Sequence, residues 1–247
     1  MLVVLVVLAM SAVALLLRSD APANQAADQA RPGPVLLVPG YGGSTASLEV
    51  LAGALRTKGR TAEVVRLPGD GTGDLRQAAA ALDAVAQRLL AGGAPSVDVV
   101  GYSAGGVVTR LWARDHAAQV RRVVTLGAPH HGTGVAALGA VLAPGACPLA
   151  CQQLVPGNAL LDELNKGDET PAGPEWLSLW TEQDEVVTPP DSARLAGATD
   201  VALQQVCPGL QVGHGELPRD PTVTRIVEQA LDAPSITAPT PTVCVGI

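Results

Sequence analysis

The sequence contains no phenylalanine and few aromatic residues of any kind: Phe, Trp and Tyr together make up 2% of its 247 residues. Nucleic-acid bases stack on such side chains, so the composition offers almost no stacking platform. Charged residues are also scarce, at 16%, and the formal net charge of −7 leaves no basic stripe to displace counterions from a nucleic acid. We therefore expect no nucleic-acid partner, and aliphatic walls around any pocket.

Motifs for bound cofactors and metals are absent as well. Neither G-x-G-x-x-G nor G-K-[ST] occurs, so the usual nucleotide-binding loops are excluded. The cysteines form no Cys-x-x-Cys pair and the histidines lie elsewhere, which argues against a zinc site. The acidic loop Asp70–Asp74 lacks the twelve-residue calcium-binding pattern and is predicted to be a solvated turn. We expect neither a cofactor nor a metal.

The first apolar run, Leu2–Leu17, ends at Arg18. It is short for a membrane-spanning helix and fits the core of a signal peptide better, although no Lys or Arg precedes it. The sequence Ala-Pro-Ala at 21–23 is the best candidate for a cleavage site. We expect residues 1–17 to be a signal peptide or a membrane anchor, and the protein to be secreted or held in the cell envelope.

Four cysteines agree with export, because an even number in an exported chain favours disulfides over free thiols. The sequence alone does not fix their connectivity. Cys147 and Cys151 would close one local loop. Cys207 and Cys244 would then tie the C-terminal tail back to the domain.

Apolar strands and amphipathic helices alternate after a segment of linker composition at 18–33. The predicted strands are VLLVPG from Val35, AEVVRLP from Ala62, VDVVGYS from Val97, RRVVTLGAP from Arg121, EWLSLW (Glu175–Trp180) and VALQQV (Val201–Val206). The predicted helices are Ser44–Lys58, a long helix with Asp74 as its N-cap and Gly92-Gly93 as its stop, AGGVVTRLWARDH after Ser103, and DPTVTRIVEQALD from Asp220. This alternation predicts a mostly parallel sheet covered by helices on both faces, in one domain at 34–232 with a tail at 233–247.

The segment Gly101-Tyr102-Ser103-Ala104-Gly105 fits G-x-S-x-G and lies between a predicted strand and a predicted helix. In that setting the serine occupies a strained turn, and small flanking residues let the strand and the helix approach each other. The helix N-terminus also favours developing negative charge. We interpret Ser103 as a nucleophile, the alternative being an ordinary serine in a turn.

A base and an acid must accompany this serine, and in this fold class they follow it in the order acid, then His. His214, in a glycine-flanked loop after the last strand, is our candidate base. His130 and His131 end the strand directly after the serine and precede any acid, while His116 lies in the following helix and would point away. The acid should come from the loop after Trp180, where the choice falls on Asp184. The other acids there are Glu182 and Glu185, interpreted as solvated neighbours, and Asp191, interpreted as the cap of a short helix.

An oxyanion site needs two backbone donors. One should be the amide of Ala104, directly after the nucleophile. The other should be the amide of Tyr41, in the turn PGYGGS after the first strand. The alternative is an ordinary glycine-rich turn.

The chain resembles the bacterial class 2 lipases and esterases of the α/β-hydrolase superfamily, the small secreted type. The resemblance rests on six segments between Val35 and Leu231: VLLVPGYGGS, LPGDGTGDL, VDVVGYSAGG, LGAPHHGT, WTEQDEVV and VGHGELPRDP. It implies an α/β-hydrolase fold with the catalytic triad Ser103, Asp184 and His214, and with Tyr41 and Ala104 as oxyanion donors. Many relatives have His where this sequence has Pro39, a change that leaves the backbone donors in place.

We therefore expect a metal-free carboxylester hydrolase, a lipase or esterase that acts as a monomer on acyl esters or lipids. The apolar stretch Val135–Leu161 is expected to wall the pocket. It is too short for a large lid, so we expect a compact enzyme with an open cleft and limited activation at lipid surfaces. The alternatives are an acyltransferase with the same triad and a non-catalytic envelope protein that keeps the fold.

Overall fold

A computed structural model describes residues 26–246, in which strands and helices alternate from Val35 onward. The strands are β1 (Val35–Val38), β2 (Ala62–Val64), β3 (Val97–Tyr102), β4 (Val120–Leu126), β5 (Glu175–Trp180) and β6 (Thr199–Ala202). The α-helices are α1 (Ala46–Thr57), α2 (Leu75–Ala91), α3 (Ala104–His116), α4 (Gly134–Leu142), α5 (Leu149–Gln153), α6 (Ala159–Leu164), α7 (Leu203–Val206) and α8 (Pro221–Asp232). Short 3₁₀ turns occupy Ala117–Gln119, Pro144–Ala146, Pro190–Ala193, His214–Glu216 and Pro241–Val243.

Strand β1 shows how the sheet divides the core. Its four residues are fully buried and alternate between two apolar clusters. Val35 and Leu37 pack with α1 and α8 on one face, whereas Leu36 and Val38 pack with α2 and α3 on the other. Burial of each such leucine contributes about 1.5–3 kcal/mol. Both faces of the sheet are therefore covered, which explains why its strands are continuous apolar runs.

The six described strands form one parallel sheet in the order β2-β1-β3-β4-β5-β6. The order reverses direction at β1, because β2 lies on one side of it and β3 on the other. The loops after β1 and β3 therefore diverge and leave a crevice at their carboxyl ends. This crevice lies between the turn after Val38 and the turn after Tyr102. The parallel sheet with helices on both faces, predicted from the sequence, is confirmed.

The predicted strand Val201–Val206 is wrong in its last four residues. Strand β6 ends at Ala202, opposite Trp180, and residues 203–206 form the helical turn α7. The amide of Cys207 donates to the carbonyl of Leu203 and closes this turn. A short apolar run is compatible with both structures, and here the end of the neighbouring strand decides the boundary.

The two described disulfides are Cys147–Cys151 and Cys207–Cys244, the pairing expected from the sequence. The second one ties the tail to the domain, where Val243 is buried in the core. No helix among residues 26–246 has the length and apolar character needed to cross a membrane. The predicted signal peptide or anchor at 1–17 lies outside the described residues, as does the first half of the segment 18–33, residues 18–25.

A buried ionic cluster lies at the amino ends of the strands. Asp98, fully buried in β3, accepts hydrogen bonds from Arg121 at 2.9 and 2.6 Å and from Arg60 at 2.6 Å. Arg121 also donates to the carbonyl of Leu231 near the end of α8, which is the favourable place for a cation. We call Asp98, Arg60 and Arg121 the basal cluster. It joins β3, β4, α8 and the loop before β2 at the edge opposite the crevice.

Candidate active site

Ser103 occupies the sharp turn between β3 and α3. Its backbone has φ 53° and ψ −130°, and it is the one non-glycine residue with positive φ within residues 26–246. The conformation is held by the Ser103 amide, which donates to the carbonyl of Leu126 at 2.8 Å. A Cβ on Gly105 would overlap the carbonyl oxygen of Val38, so only glycine fits there. This strained turn presents the serine hydroxyl at the carboxyl edge of the sheet.

The structure brings Ser103, His214 and Asp184 into one hydrogen-bonded row. The Nε2 atom of His214 lies 3.0 Å from the Oγ of Ser103, and its Nδ1 atom lies 2.7 Å from Oδ2 of Asp184. All three residues are buried, with 5–8% of their surfaces exposed. With Nδ1 protonated toward the carboxylate, Nε2 is free to accept the serine proton. The imidazole of His214 therefore contacts the serine hydroxyl on one side and the carboxylate on the other.

The acid is itself oriented by the backbone of its own loop. Oδ1 of Asp184 accepts hydrogen bonds from the amides of Val186 at 2.9 Å and Val187 at 2.7 Å. These bonds hold the carboxylate so that Oδ2 faces the imidazole. Glu182 is exposed, and Glu185 accepts from the His214 amide at 3.3 Å. Asp191 lies inside the turn Pro190–Ala193, which begins after Pro189, so its predicted role as the cap is wrong.

Tyr102 braces the base, a contact that the sequence did not indicate. Its hydroxyl donates to the carbonyl of His214 at 3.1 Å, and the two rings lie 5.2 Å apart. Burial, followed by the nearby charge of Asp184, raises the pKa of Tyr102 to about 12. The phenol therefore keeps its proton, and this hydrogen bond, throughout the neutral range.

Gly127, directly after β4, lies beneath the His–Asp pair. Its φ is 53°, and its amide donates to the carbonyl of Leu179 at 2.9 Å. A Cβ at this position would lie 3.1 Å from Oδ2 of Asp184 and 3.3 Å from Nδ1 of His214. The pair therefore packs directly on backbone, and a side chain here would displace it.

The turn after β1 passes close to Ser103. An ideal Cβ on Gly40 would lie 2.9 Å from the Cβ of Ser103, so the next amide, that of Tyr41, is near the reacting group. Gly42 and Gly43 hold the turn through bonds to the carbonyls of Gly71 and Gly40. Within residues 26–246, the amides of Tyr41 and Ala104 donate to no other group. Two donors are thus available for an oxyanion, one of them at the N-terminus of α3.

A cavity of about 180 Å³ adjoins the two turns that carry these amides. It is lined by Pro39 and Gly40, by the loop and first turns of α2 from Leu67 to Ala78, and by Ala104 and Val108 of α3. The expected wall, Val135–Leu161, contributes no lining residue. Only its α5 segment packs behind the loop, where the Ala150 amide donates to the carbonyl of Thr72 at 3.0 Å, whereas Val135 and Leu138 of α4 are exposed. A larger groove, about 480 Å³, lies at the far end of α3 around His116.

The remaining histidines lie apart from this row. Nδ1 of His116 donates to the carbonyl of Trp112 at 2.9 Å, and His131 lies 2.9 Å from a carboxylate oxygen of Glu169. His130 is fully buried, with Nε2 3.2 Å from the hydroxyl of Thr125. Burial, followed by the charge of Arg110, lowers the pKa of His130 well below its usual value. Among residues 26–246, His, Cys, Asp and Glu form no group of three that could hold a metal.

Comparisons with known proteins agree with this architecture. The family described as the alpha/beta hydrolase fold matches residues 33–145. Aspergillus fumigatus lipase B superposes with a TM-score of 0.68 at 19% identity, over 87% of this chain and 55% of that one. The mature Bacillus licheniformis lipase BlEst2 gives 0.63 at 20% identity, over 83% and 93%. The Paleococcus ferrophilus monoacylglycerol lipase gives 0.59 at 17% identity, over 83% and 97%.

These similarities fix the fold. The chain has the α/β-hydrolase fold, and it spans about half the length of the Aspergillus lipase chain. No curated protein sequence matches it significantly. At identities of 20% or below, these similarities show the fold and not the chemistry of the site.

Proposed function

We propose that the protein is a serine carboxylester hydrolase, a lipase or esterase, that works through an acyl-enzyme on Ser103. The observation that carries this proposal is the buried row in which His214 lies 3.0 Å from the serine hydroxyl and 2.7 Å from Asp184. Three named lipases share the fold, which supports an ester as the substrate.

In the first half-reaction, Oγ of Ser103 attacks the acyl carbonyl while His214 takes the hydroxyl proton. The carbonyl oxygen becomes an oxyanion that accepts hydrogen bonds from the amides of Tyr41 and Ala104. Asp184 stabilises the imidazolium and remains ionised itself. The C–O bond of the ester then breaks, and His214 returns the proton to the departing alcohol.

In the second half-reaction, water attacks the acyl-enzyme. His214 again takes the proton, the oxyanion forms at the same two amides, and the acid leaves as Ser103 regains its hydrogen. The groups that donate and accept protons and hydrogen bonds in both half-reactions are backbone amides and side chains of this chain. The burial of the row strengthens each of these electrostatic interactions, because little water competes for them.

Export of the enzyme as a monomer belongs to the same proposal. The two disulfides are compatible with an oxidising compartment, and the apolar run at 2–17 is typical of a signal or anchor.

The test is hydrolysis of chromogenic esters by the wild type and by Ser103→Ala. Removal of the nucleophile should lower kcat by about 10⁶-fold, as expected for a residue that acts as a unit with its base. A fluorophosphonate probe should label the wild type and leave the variant unlabelled. Undiminished turnover in Ser103→Ala would overturn the proposal. Alcohol added in increasing amounts distinguishes hydrolysis from acyl transfer, because a transferase forms the new ester in preference to the acid.

A further inference from the structure

We propose that the cavity beside the oxyanion donors receives the acyl group, and that the enzyme acts on esters of short, uncharged acids. We call it the acyl cavity and define it by Gly40, Leu67, Leu75, Ala78, Ala104 and Val108. This inference rests on the proposed function and adds the substrate class.

The assignment to the acyl group follows from the position of the base. His214 must return its proton to the alcohol oxygen, so the alcohol leaves on the side of His214 and Asp184. None of the residues that line the cavity belongs to the loops of those two residues. The lining includes Gly40 and Ala104, which belong to the two turns that present the oxyanion donors. The alcohol leaves on the other side, so the part of the substrate that extends from the reacting carbonyl into this cavity is the acyl chain.

The size of the acyl cavity limits the length of that chain. Its volume of about 180 Å³ is below the ~300–1,000 Å³ that is usual for pockets holding larger ligands. Leu75, Ala78 and Val108 are buried and belong to α2 and α3, which pack against each other on one face of the sheet. Widening the cavity on this side would require the two helices to separate.

The opposite wall is fixed by hydrogen bonds. The side chain of Gln153 accepts from the Leu75 amide at 2.8 Å and donates to Oδ1 of Asp74 at 2.7 Å. The carbonyl of Thr72 accepts from α5, and a Cβ on Gly71 would overlap the backbone of Gly43. The loop is therefore clamped between α5 and the turn after β1. A longer chain could not push it outward without breaking these contacts.

The charge of the rim adds selection against anionic acids. Asp70 and Asp74 both line the cavity. A hydrogen bond from Thr72 lowers the pKa of Asp70, and one from Gln153 lowers the pKa of Asp74, so both are ionised at neutral pH. Water screens the exposed Asp70, so Asp74 supplies the stronger repulsion. An acyl group that carries a carboxylate should be disfavoured.

The experiment measures kcat/KM for 4-nitrophenyl acetate, butyrate, octanoate and palmitate in detergent. The wild type should favour butyrate over octanoate by at least about tenfold, the usual discrimination for a chain that does not fit its pocket. Ala78→Leu narrows the cavity and should lower butyrate turnover by about tenfold relative to acetate. Ala80→Leu, exposed on the same helix, is the matched control and should leave the series unchanged. Leu67→Ala, at a half-buried position, should shift the preference toward octanoate.

Equal or better turnover of octanoate by the wild type would overturn the inference, as would identical series for Ala78→Leu and Ala80→Leu. Circular dichroism and urea unfolding report whether each variant is folded, and Leu67→Ala keeps the test decisive if Ala78→Leu does not fold. A comparison of 4-nitrophenyl butyrate with 4-nitrophenyl hemisuccinate, whose acyl group carries a carboxylate, tests the selection against anionic acids. Equal turnover of the two by the wild type at low salt would refute the exclusion of anionic acids. All of these outcomes leave the proposed function intact, because it depends on Ser103→Ala and on labelling by the fluorophosphonate.

Discussion

Gly127→Ala tests the packing beneath the His214–Asp184 pair. The added Cβ would lie 2.6 Å from a terminal carbon of Leu217, closer than real side chains approach. It would also lie 3.1 Å from Oδ2 of Asp184 and 3.3 Å from Nδ1 of His214, where ordinary contacts are about 3.5–4.0 Å. The pair must therefore shift by a few tenths of an ångström.

The cost has two parts that can be separated. The positive φ of Gly127 costs an alanine about 1–2 kcal/mol. Overpacking against Leu217 adds about 1–3 kcal/mol. We therefore expect the free energy of unfolding to fall by about 2–5 kcal/mol. Displacement of the pair should lower kcat by about 10- to 100-fold, because a misplacement of about 1 Å costs 10²-fold.

The matched control is Gly59→Ala. Gly59 has φ 84°, and an added Cβ there meets nothing within 4 Å. It shares the backbone strain and lacks the contact, so it should lose about 1–2 kcal/mol of stability and retain the wild-type kcat. Urea unfolding and initial rates on a chromogenic ester measure both quantities. Equal losses of stability in the two variants, with kcat unchanged in Gly127→Ala, would refute the reasoning.

Three further substitutions test Asp184, the buried His130 and the basal cluster. Asp184→Asn keeps the acceptor for the two loop amides but turns an amide donor toward His214, so kcat should fall by about 10⁴-fold while the melting temperature changes little. In the wild type, His130 stays neutral when folded, so below pH ~6.5 only the unfolded chain binds a proton there. The free energy of unfolding of the wild type should therefore fall by up to about 1.4 kcal/mol per pH unit. His130→Gln should remove this part of the pH dependence. Asp98→Ala leaves Arg121 without its buried partner and should cost about 3–5 kcal/mol in urea unfolding, with kcat of the folded fraction unchanged.

Each of these has a control on an exposed or partly exposed residue of the same kind. Glu182→Gln should retain activity; an equal loss there would mean that Asp184 acts only through its charge. His116→Gln should keep the wild-type slope, and a slope that survives in His130→Gln would show that another group causes it. Asp232→Asn, on the exposed partner of Arg60, should cost less than about 1 kcal/mol. A similar small cost for Asp98→Ala would contradict the role of the basal cluster.

The sequence predicted the fold well where pattern and end signals agreed. Strands buried on both faces are unbroken apolar runs, and Asp74 accepts from the Arg76 amide as the N-cap of α2. The boundary after Ala202 was missed because a short apolar run fits a strand and a helical turn equally well. Ser103, Asp184 and His214 lie far apart along the chain and meet because the loops that follow parallel strands all lie at the carboxyl edge of the sheet.

The contacts that support the His214–Asp184 pair could not be predicted from the sequence. Tyr102 and His214 are 112 positions apart, and no local pattern links a phenol to a distant carbonyl. Gly127 shows nothing in the sequence beyond a glycine at the end of a strand. The stretch Val135–Leu161 was expected to wall the pocket because it is apolar. Its apolar residues divide between two environments. Helix α5 packs behind the loop at 67–75, which Gln153 clamps, whereas Val135, Leu138 and Val141 of α4 are exposed.

The basal cluster has a consequence for anyone who wishes to alter this protein. It lies at the amino ends of the strands, whereas Ser103, His214 and the proposed acyl cavity lie at the carboxyl ends. Distant sites of this kind change independently, so their effects add. A library confined to the loop at 67–75 can search for new acyl preferences with the stabilising end left intact. Reinforcement near Asp98 can supply in advance the stability that such altered loops lose.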